Sequence, residues 1–181
     1  MGSTYDLLIR GATLIDPAQD LHEARDIAIA DGRISAVAKE IFEEEAETVV
    51  HAAGKLATPG LIDLHVHVYW GVSHYGIPPD PHCLARGATT VYDAGSSGAD
   101  TFPGFKKYVI DVSATRIKAF LNVSSQGMLC RSVGELTDIR YADVKRAARM
   151  CEEYSDDIVG VKVRLTTQLV GENGKEALKR A

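Results

Sequence analysis

The rhythm of apolar and polar positions along this chain changes near residue 58. Before that point, short alternating runs are separated by turn residues. Tyr5 to Arg10 and Ala12 to Ile15 surround Gly11, Asp26 to Ala30 and Arg33 to Val37 surround Asp31-Gly32, and Glu47 to His51 leads into Ala53-Gly54. Period-two alternation marks half-buried strands, and Asp-Gly between two such runs is a strong hairpin signal. Residues 1–57 are therefore expected to form a small antiparallel β domain. From Thr58-Pro59-Gly60 onward, short apolar strands are spaced by helical or irregular segments. The predicted strands are Leu61 to Val68, Thr89 to Ala94, Ile117 to Val123 and Ile158 to Leu165. The predicted helices are Pro81 to Arg86, Phe102 to Val112 and Tyr141 to Tyr154. In the last of these, Val144, Ala147, Ala148 and Cys151 recur at i, i+3, i+4 and i+7, which is one face of an amphipathic helix.

Alternating strand and helix imply a parallel sheet joined by right-handed crossovers. A complete (β/α)8 barrel takes ~250 residues, roughly 31 per unit, so residues 58–181 have the length of four units, matching the four strands. The expected fold class is α/β, with residues 58–181 as the first four βα units of a TIM barrel. Residues 174–181 start like a helix and reach no cap or following strand, so the pattern reads as a barrel cut at its fourth helix. A compact four-stranded α/β domain is the alternative.

Composition narrows the partners. A hydrophobic content of 45% is enough for a real core, and 20 Lys+Arg against 25 Asp+Glu give a net charge of -5. That balance offers no basic patch for nucleic acid or an anionic membrane, so neither is an expected partner. The acidic segment Glu40 to Glu47 reads as a solvated surface. Cys83, Cys130 and Cys151 are odd in number and lack CxxC spacing, which argues against a disulfide framework and a zinc knuckle. The N-terminus has no basic segment followed by an apolar run, and no window approaches the ~20 apolar residues of a membrane span. These features predict a cytoplasmic protein.

Two places carry chemistry. In a strand, side chains at i, i+2 and i+4 share a face, so Asp63, His65 and His67 project together. Two imidazoles spaced this way can close on one metal ion, and the aspartate can orient a ring or support it from behind. An isolated His-x-His also fits a solvated polar face. Here the strand follows Pro59-Gly60 and opens a βα series, and barrel active sites lie at C-terminal strand ends, which favours the metal. The second place is Ile158-Val159-Gly160-Val161-Lys162-Val163-Arg164-Leu165, where alternation puts Lys162 opposite the valines. Enclosed on the inner face of a barrel, a lysine loses solvation and its pKa falls. A neutral amine can add carbon dioxide to form a carbamate able to bridge two metal ions. A lone strand lysine can equally snorkel to solvent.

Several segments together resemble the amidohydrolase superfamily. They are Tyr5-Asp6-Leu7-Leu8-Ile9-Arg10-Gly11-Ala12, Asp31-Gly32-Arg33-Ile34, Ala57-Thr58-Pro59-Gly60-Leu61-Ile62-Asp63-Leu64-His65-Val66-His67, Arg86-Gly87-Ala88-Thr89-Thr90-Val91 and Val161-Lys162-Val163-Arg164. The likeness is to the branch of dihydroorotases, hydantoinases and deacetylase-like enzymes. It implies a β-sandwich-type N-terminal domain, built from both chain ends, beside a (β/α)8 barrel. It also implies two divalent metal ions, zinc by analogy, with His65 and His67 binding one ion and carboxylated Lys162 bridging both. The resemblance further implies two histidines and a general-base aspartate on later strands, which these residues do not include. A metal-bridged hydroxide would then hydrolyse an amide or ester bond, and the chain alone is expected to be inactive. The complete protein is expected to be a homo-oligomer. The other reading is a naturally short, non-catalytic binding or assembly subunit of the same fold.

One departure bears on the substrate. Dihydroorotases commonly carry an arginine two residues after the second histidine, and this chain has Tyr69, which points to an acylated small molecule instead. His74 and His82 read as loop residues at the surface. Asp93, Ser96, Ser97, Ser124, Ser125 and Gln126 reach the rim by position and read as caps or loop residues. Arg164 suits either a substrate anion or a carboxylate partner. Cys83 and Cys151 read as buried helix residues.

Overall fold

In the computed structural model, which describes residues 3–181, the N-terminal strands form one five-stranded sheet. The strands are β1 (Tyr5–Asp16), β2 (Leu21–Ala30), β3 (Arg33–Ala38), β4 (Ala46–His51) and β5 (Leu56–Ala57). Their order is β3-β2-β1-β4, with β5 also pairing β1. The Asp31-Gly32 hairpin forms as expected, with Ala30 opposite Arg33. Positive φ angles of 52° and 68° at its two central residues give the type I′ geometry that matches strand twist.

Two expectations for this unit fail. The sheet is mixed, because β1 runs antiparallel to β2 but parallel to β4 and β5. Alternation reports which face a side chain takes and carries no information about strand direction. Gly11 is not a turn either; it sits inside β1 at a bulge between Ile9 and Ala12, with φ at 73°. The Gly11 N–H donates to Asp26 Oδ1 at 2.7 Å, and Asp26 Oδ2 accepts from Ile41 N at 2.9 Å. Asp26 is only 4% exposed, so both backbone donors find their acceptor inside the sheet's packing. The acidic segment is also partly anchored, since Glu43 pairs with Arg10.

The chain divides into Met1–Pro59 and Gly60–Ala181. The second unit contains a parallel sheet of β6 (Leu61–Val66), β7 (Ala88–Gly98), β8 (Arg116–Asn122) and β9 (Ile158–Lys162), in that order. The connections carry α1 (Pro79–His82) with a 3-10 turn at Leu84–Arg86, α2 (Phe102–Phe105) running into a π turn at Lys106–Ile110, and α3 (Val144–Glu153). After β9 come α4 (Thr167–Val170) and α5 (Gly174–Arg180). Asp143 caps α3 by accepting from Arg146 N at 3.0 Å, which explains why that helix starts later than its apolar spacing suggested.

Strand β8 shows how the sheet sorts its faces. Ile117, Ala119 and Leu121 are buried in a core with Val68, Val91, Phe102, Phe105 and Ala147, leaving Lys118, Phe120 and Asn122 on the opposite face. Helix α3 meets this core through Ala147, Met150, Cys151 and Tyr154, whereas Val144 and Ala148 are exposed. The spacing 147, 150, 151, 154 is the same helical stripe, rotated toward larger side chains. Strand β9 ends at Lys162, earlier than its apolar run, and β7 extends to Gly98. The edge strands expose apolar side chains, including Ile62 and Leu64 on β6 and Val159 and Val161 on β9. Among the described residues, no helix is long and apolar enough to cross a membrane.

Asp80 ties α1 to the segment entering β8. It accepts from Thr115 Oγ1 at 2.6 Å, Thr115 N at 2.8 Å and Ala114 N at 3.1 Å. The Thr115 hydroxyl bond, followed by the two backbone bonds, holds the Asp80 carboxyl below its ordinary pKa. A lowered native pKa means the stabilisation is complete above the usual carboxylate range and is lost as pH falls through the native value. Asp80→Ala is expected to cost about 1–3 kcal/mol at neutral pH. In denaturant titrations at several pH values, the gap to the unmodified protein should close on acidification; a pH-independent gap would contradict this role.

Candidate functional site

Parallel strands deliver their C-terminal ends to one rim, and the polar residues of the second unit collect there. His65 is in β6 and His67 lies one residue past its end. Their rings stand edge to face, with centroids 5.5 Å apart, so the i, i+2 spacing does place both imidazoles together. Asp63 forms no hydrogen bond with either ring; its carboxylate accepts from His65 N at 3.0 Å and braces the backbone.

His67 is held from the neighbouring strand. Its Nδ1 is 3.0 Å from Ser96 Oγ, and Ser96 is fully buried near the end of β7. When Nδ1–H donates to that hydroxyl, the lone pair resides on Nε2, the form in which an imidazole ligates a metal. The His67 pKa is lowered to about 4, first by burial and then by the positive charges of His65, Arg164, Lys162 and His74. The ring is therefore neutral at neutral pH.

Lys162 closes β9, in register with Asn122 at the end of β8. Its stem runs against Gly95 of β7, where a Cβ would fall 2.7 Å from Lys162 Cγ and 2.8 Å from Lys162 Cβ. Gly95 also has φ at 89°, a conformation that side chains resist. Lys162 was expected to be enclosed; it is half-buried, because β9 is an edge strand among the described residues. Those residues contain no group of three or more His, Cys, Asp and Glu side chains disposed to hold one ion.

Behind these residues lies a buried polar network that sequence reasoning did not assemble. Asn122 Nδ2 donates to Gly95 O at 3.0 Å and to Glu135 Oε2 at 3.1 Å, and its Oδ1 accepts from Ser124 N at 2.9 Å. Ser124 Oγ donates to Glu135 O at 2.8 Å. Glu135, 2% exposed, accepts from Arg164 Nε at 2.8 Å and from Arg164 Nη2. Arg164 thus takes the carboxylate partner, one of its two readings. Asp93 accepts from Val68 N at 2.8 Å and Ser96 N at 2.6 Å, fixing the backbone on both sides of the His67–Ser96 contact. Burial raises its pKa. The rim position of Asp93 was a usable signal, whereas nothing local marks Glu135. His74 and His82 are exposed, as expected. Cys83 is buried, Cys151 is half-buried and Cys130 is exposed, all three as free thiols.

No family model matches the chain. A deacetylase from Agrobacterium fabrum is 40% identical over 156 residues, covering 85% of this chain and 38% of the deacetylase. A dihydroorotase crystal structure superimposes with a TM-score of 0.84 at 36% identity, covering 96% of this chain and 48% of that one. The chain belongs to the amidohydrolase superfamily. An adenine deaminase structure also superimposes, with a TM-score of 0.81 at 30% identity, covering 98% of this chain and 46% of the deaminase. This chain therefore spans less than half the length of these superfamily relatives. Within it, Tyr69 faces the core: it is 7% exposed, its ring packs 4.8 Å from Phe105, and its hydroxyl donates to Thr101 O at 3.2 Å. Position 69 thus offers nothing to a substrate at the rim.

Proposed function

We propose that this chain supplies one side of a metal-dependent hydrolase site that cleaves an amide or ester bond in an acylated small molecule. The observation that carries the reading is the pairing of His65 and His67 at 5.5 Å, with the neutral His67 oriented by buried Ser96. The donor chemistry fits a divalent cation: two imidazoles at the end of one strand and a primary amine at the end of another. His65 and His67 would hold one ion, and Lys162, carboxylated on Nζ, would lend its anion to that ion and a second. When bound, two such ions supply Lewis-acid activation of water and of the carbonyl. Ser96 orients His67, Gly95 leaves room for the Lys162 stem, and the Asn122–Glu135–Arg164 network keeps the strand ends in place.

In this reading residues 58–181 are the first four units of a (β/α)8 barrel, and the N-terminal sheet is part of a β-sandwich-type domain. The exposed apolar side chains of β6 and β9 support it, as does a span of under half of each relative. The remaining ligands and the proton-transferring group come from outside these residues, and the complete protein is a homo-oligomer acting on a small molecule.

The test is metal content. The complete protein is expected to carry about two divalent ions per chain and to lose hydrolysis of acylated amides and esters on chelation. Ser96→Ala should weaken metal affinity about 10- to 100-fold, the usual cost of losing a partner that orients a ligand, read by competition with a metal indicator. Full activity in a metal-free preparation would overturn the function, and unchanged affinity in Ser96→Ala would overturn the role of Ser96.

A further inference from the structure

Away from the rim, a groove of about 360 Å³ runs between α1 and the π turn that follows α2. One wall is the proline-rich run 78–81, the other is Tyr108, Val109 and Val112, and Trp70 lines it as well. Both walls belong to connections that this chain holds from strand to strand, β6 to β7 and β7 to β8. The exposure of the groove therefore differs in origin from that of the edge strands. Asp80 ties the α1 wall to the end of the other wall through Ala114 N and Thr115, so the groove is preformed.

What it shows to solvent is large and apolar. Trp70 is 58% exposed, Tyr108 69% and Val112 70%. Taking 150–250 Å² for a whole aromatic side chain, these residues and the prolines offer roughly 400 Å² of apolar surface, the size of patch that marks a contact site. A standard interface buries about 800 Å² per partner, of which roughly 500 Å² is apolar in a homodimer. The groove supplies most of that share. Trp and Tyr are also the residues that concentrate binding energy at interface centres.

The charges favour a second copy of the chain. Lys107 Nζ lies 5.4 Å from the centroid of the Tyr108 ring, and Lys107 forms no ion pair among the described residues. Asp80 lines the facing wall. A two-fold axis running along the groove sets each wall against the opposite wall of the other copy, which brings Lys107 of each toward Asp80 of the other. A bilayer is the poorer occupant, since a net charge of -5 gives no attraction to anionic lipid.

We propose that this groove is a two-fold contact between two copies of the chain, centred on Trp70 and Tyr108. The inference rests on the homo-oligomer reading for the existence of a second copy and names the face that copy covers. Trp70 follows His67 by three positions, and Ile77 N donates to His67 O at 3.0 Å, so the contact would also brace the loop leaving the histidine pair.

Sedimentation of the complete protein over a wide concentration range is expected to show a dimer or a larger even-numbered assembly. Trp70→Lys and Val112→Lys should each weaken association about 10²- to 10³-fold, because a two-fold contact repeats each hot-spot loss twice. Val144→Lys, the same change at an exposed residue of α3, should leave it unaltered. Hydroxyl-radical footprinting of the unmodified protein needs no variant: Trp70 and Tyr108 should be protected only at concentrations where it associates. A monomer at every concentration overturns both this contact and the homo-oligomer reading, whereas an assembly indifferent to Trp70→Lys overturns the contact alone. Protection already present in the monomer assigns the groove to another part of the same chain, and protection that appears only with phosphatidylcholine–phosphatidylserine vesicles assigns it to a membrane; either overturns the proposal. Neither metal nor hydrolysis enters these readouts, so the hydrolase reading stands or falls separately.

Discussion

Lys162→Ala is expected to lower kcat/KM by at least about 10²- to 10³-fold, the order seen when a single preorganised electrostatic contact at a reacting centre is removed. Alanine has no nitrogen to carboxylate, so the anion that a carboxylated Lys162 would supply to the metal site is lost, and the metal content should fall with the activity. Lys162 is half-buried at the end of an edge strand, so its truncation should leave the fold intact. Kinetics, metal analysis and a thermal melt on one preparation separate these effects. Depleting carbon dioxide should depress the unmodified protein, bicarbonate should restore it, and neither should affect the variant. Normal activity in Lys162→Ala would sink the carbamate.

Gly95→Val is expected to destabilise the protein by about 2–5 kcal/mol, combining a left-handed backbone penalty of ~1–2 kcal/mol with overpacking of ~1–3 kcal/mol. The new Cβ would meet the Lys162 stem at 2.7 to 2.8 Å, and the stem has limited freedom so near its own backbone. Either Lys162 leaves its position or β7 shifts, and a shift of β7 would strain the bond from Asn122 to Gly95 O. Metal affinity should therefore fall together with the denaturation midpoint. A Gly95→Val protein with native stability and full metal content would show that Lys162 does not lie across this glycine.

Both variants probe residues that differ in how far the sequence reveals them. Lys162 stands out because an apolar strand tolerates few charges, and His65 and His67 because period two is a local property of one strand. The same local logic finds the Asp31-Gly32 hairpin, where two adjacent residues carry the whole signal. It misreads Gly11, since a glycine that turns a chain and one that relieves a bulge look alike until Asp26 is seen accepting the Gly11 N–H. It also centres the α3 stripe too early, keeping Ala147 and Cys151 but including Val144, which is apolar whether or not anything packs on it.

What the sequence by itself determined is therefore periodic or nearest-neighbour: four strand segments after residue 58, a histidine pair on one side of the first, a lysine opposite the valines of the fourth, and superfamily membership through those motifs. Only the tertiary structure decided that β4 and β5 join β1 in parallel, that Ser96 holds His67, that Gly95 makes way for Lys162, and that Glu135 fixes Arg164. Each of these joins residues 29 or more positions apart. Such partnerships form when strand pairing and burial bring chain segments together and leave a polar group with no other acceptor or charge to meet. Local pattern cannot encode them, because each residue's own neighbours would read the same with a different partner across the sheet.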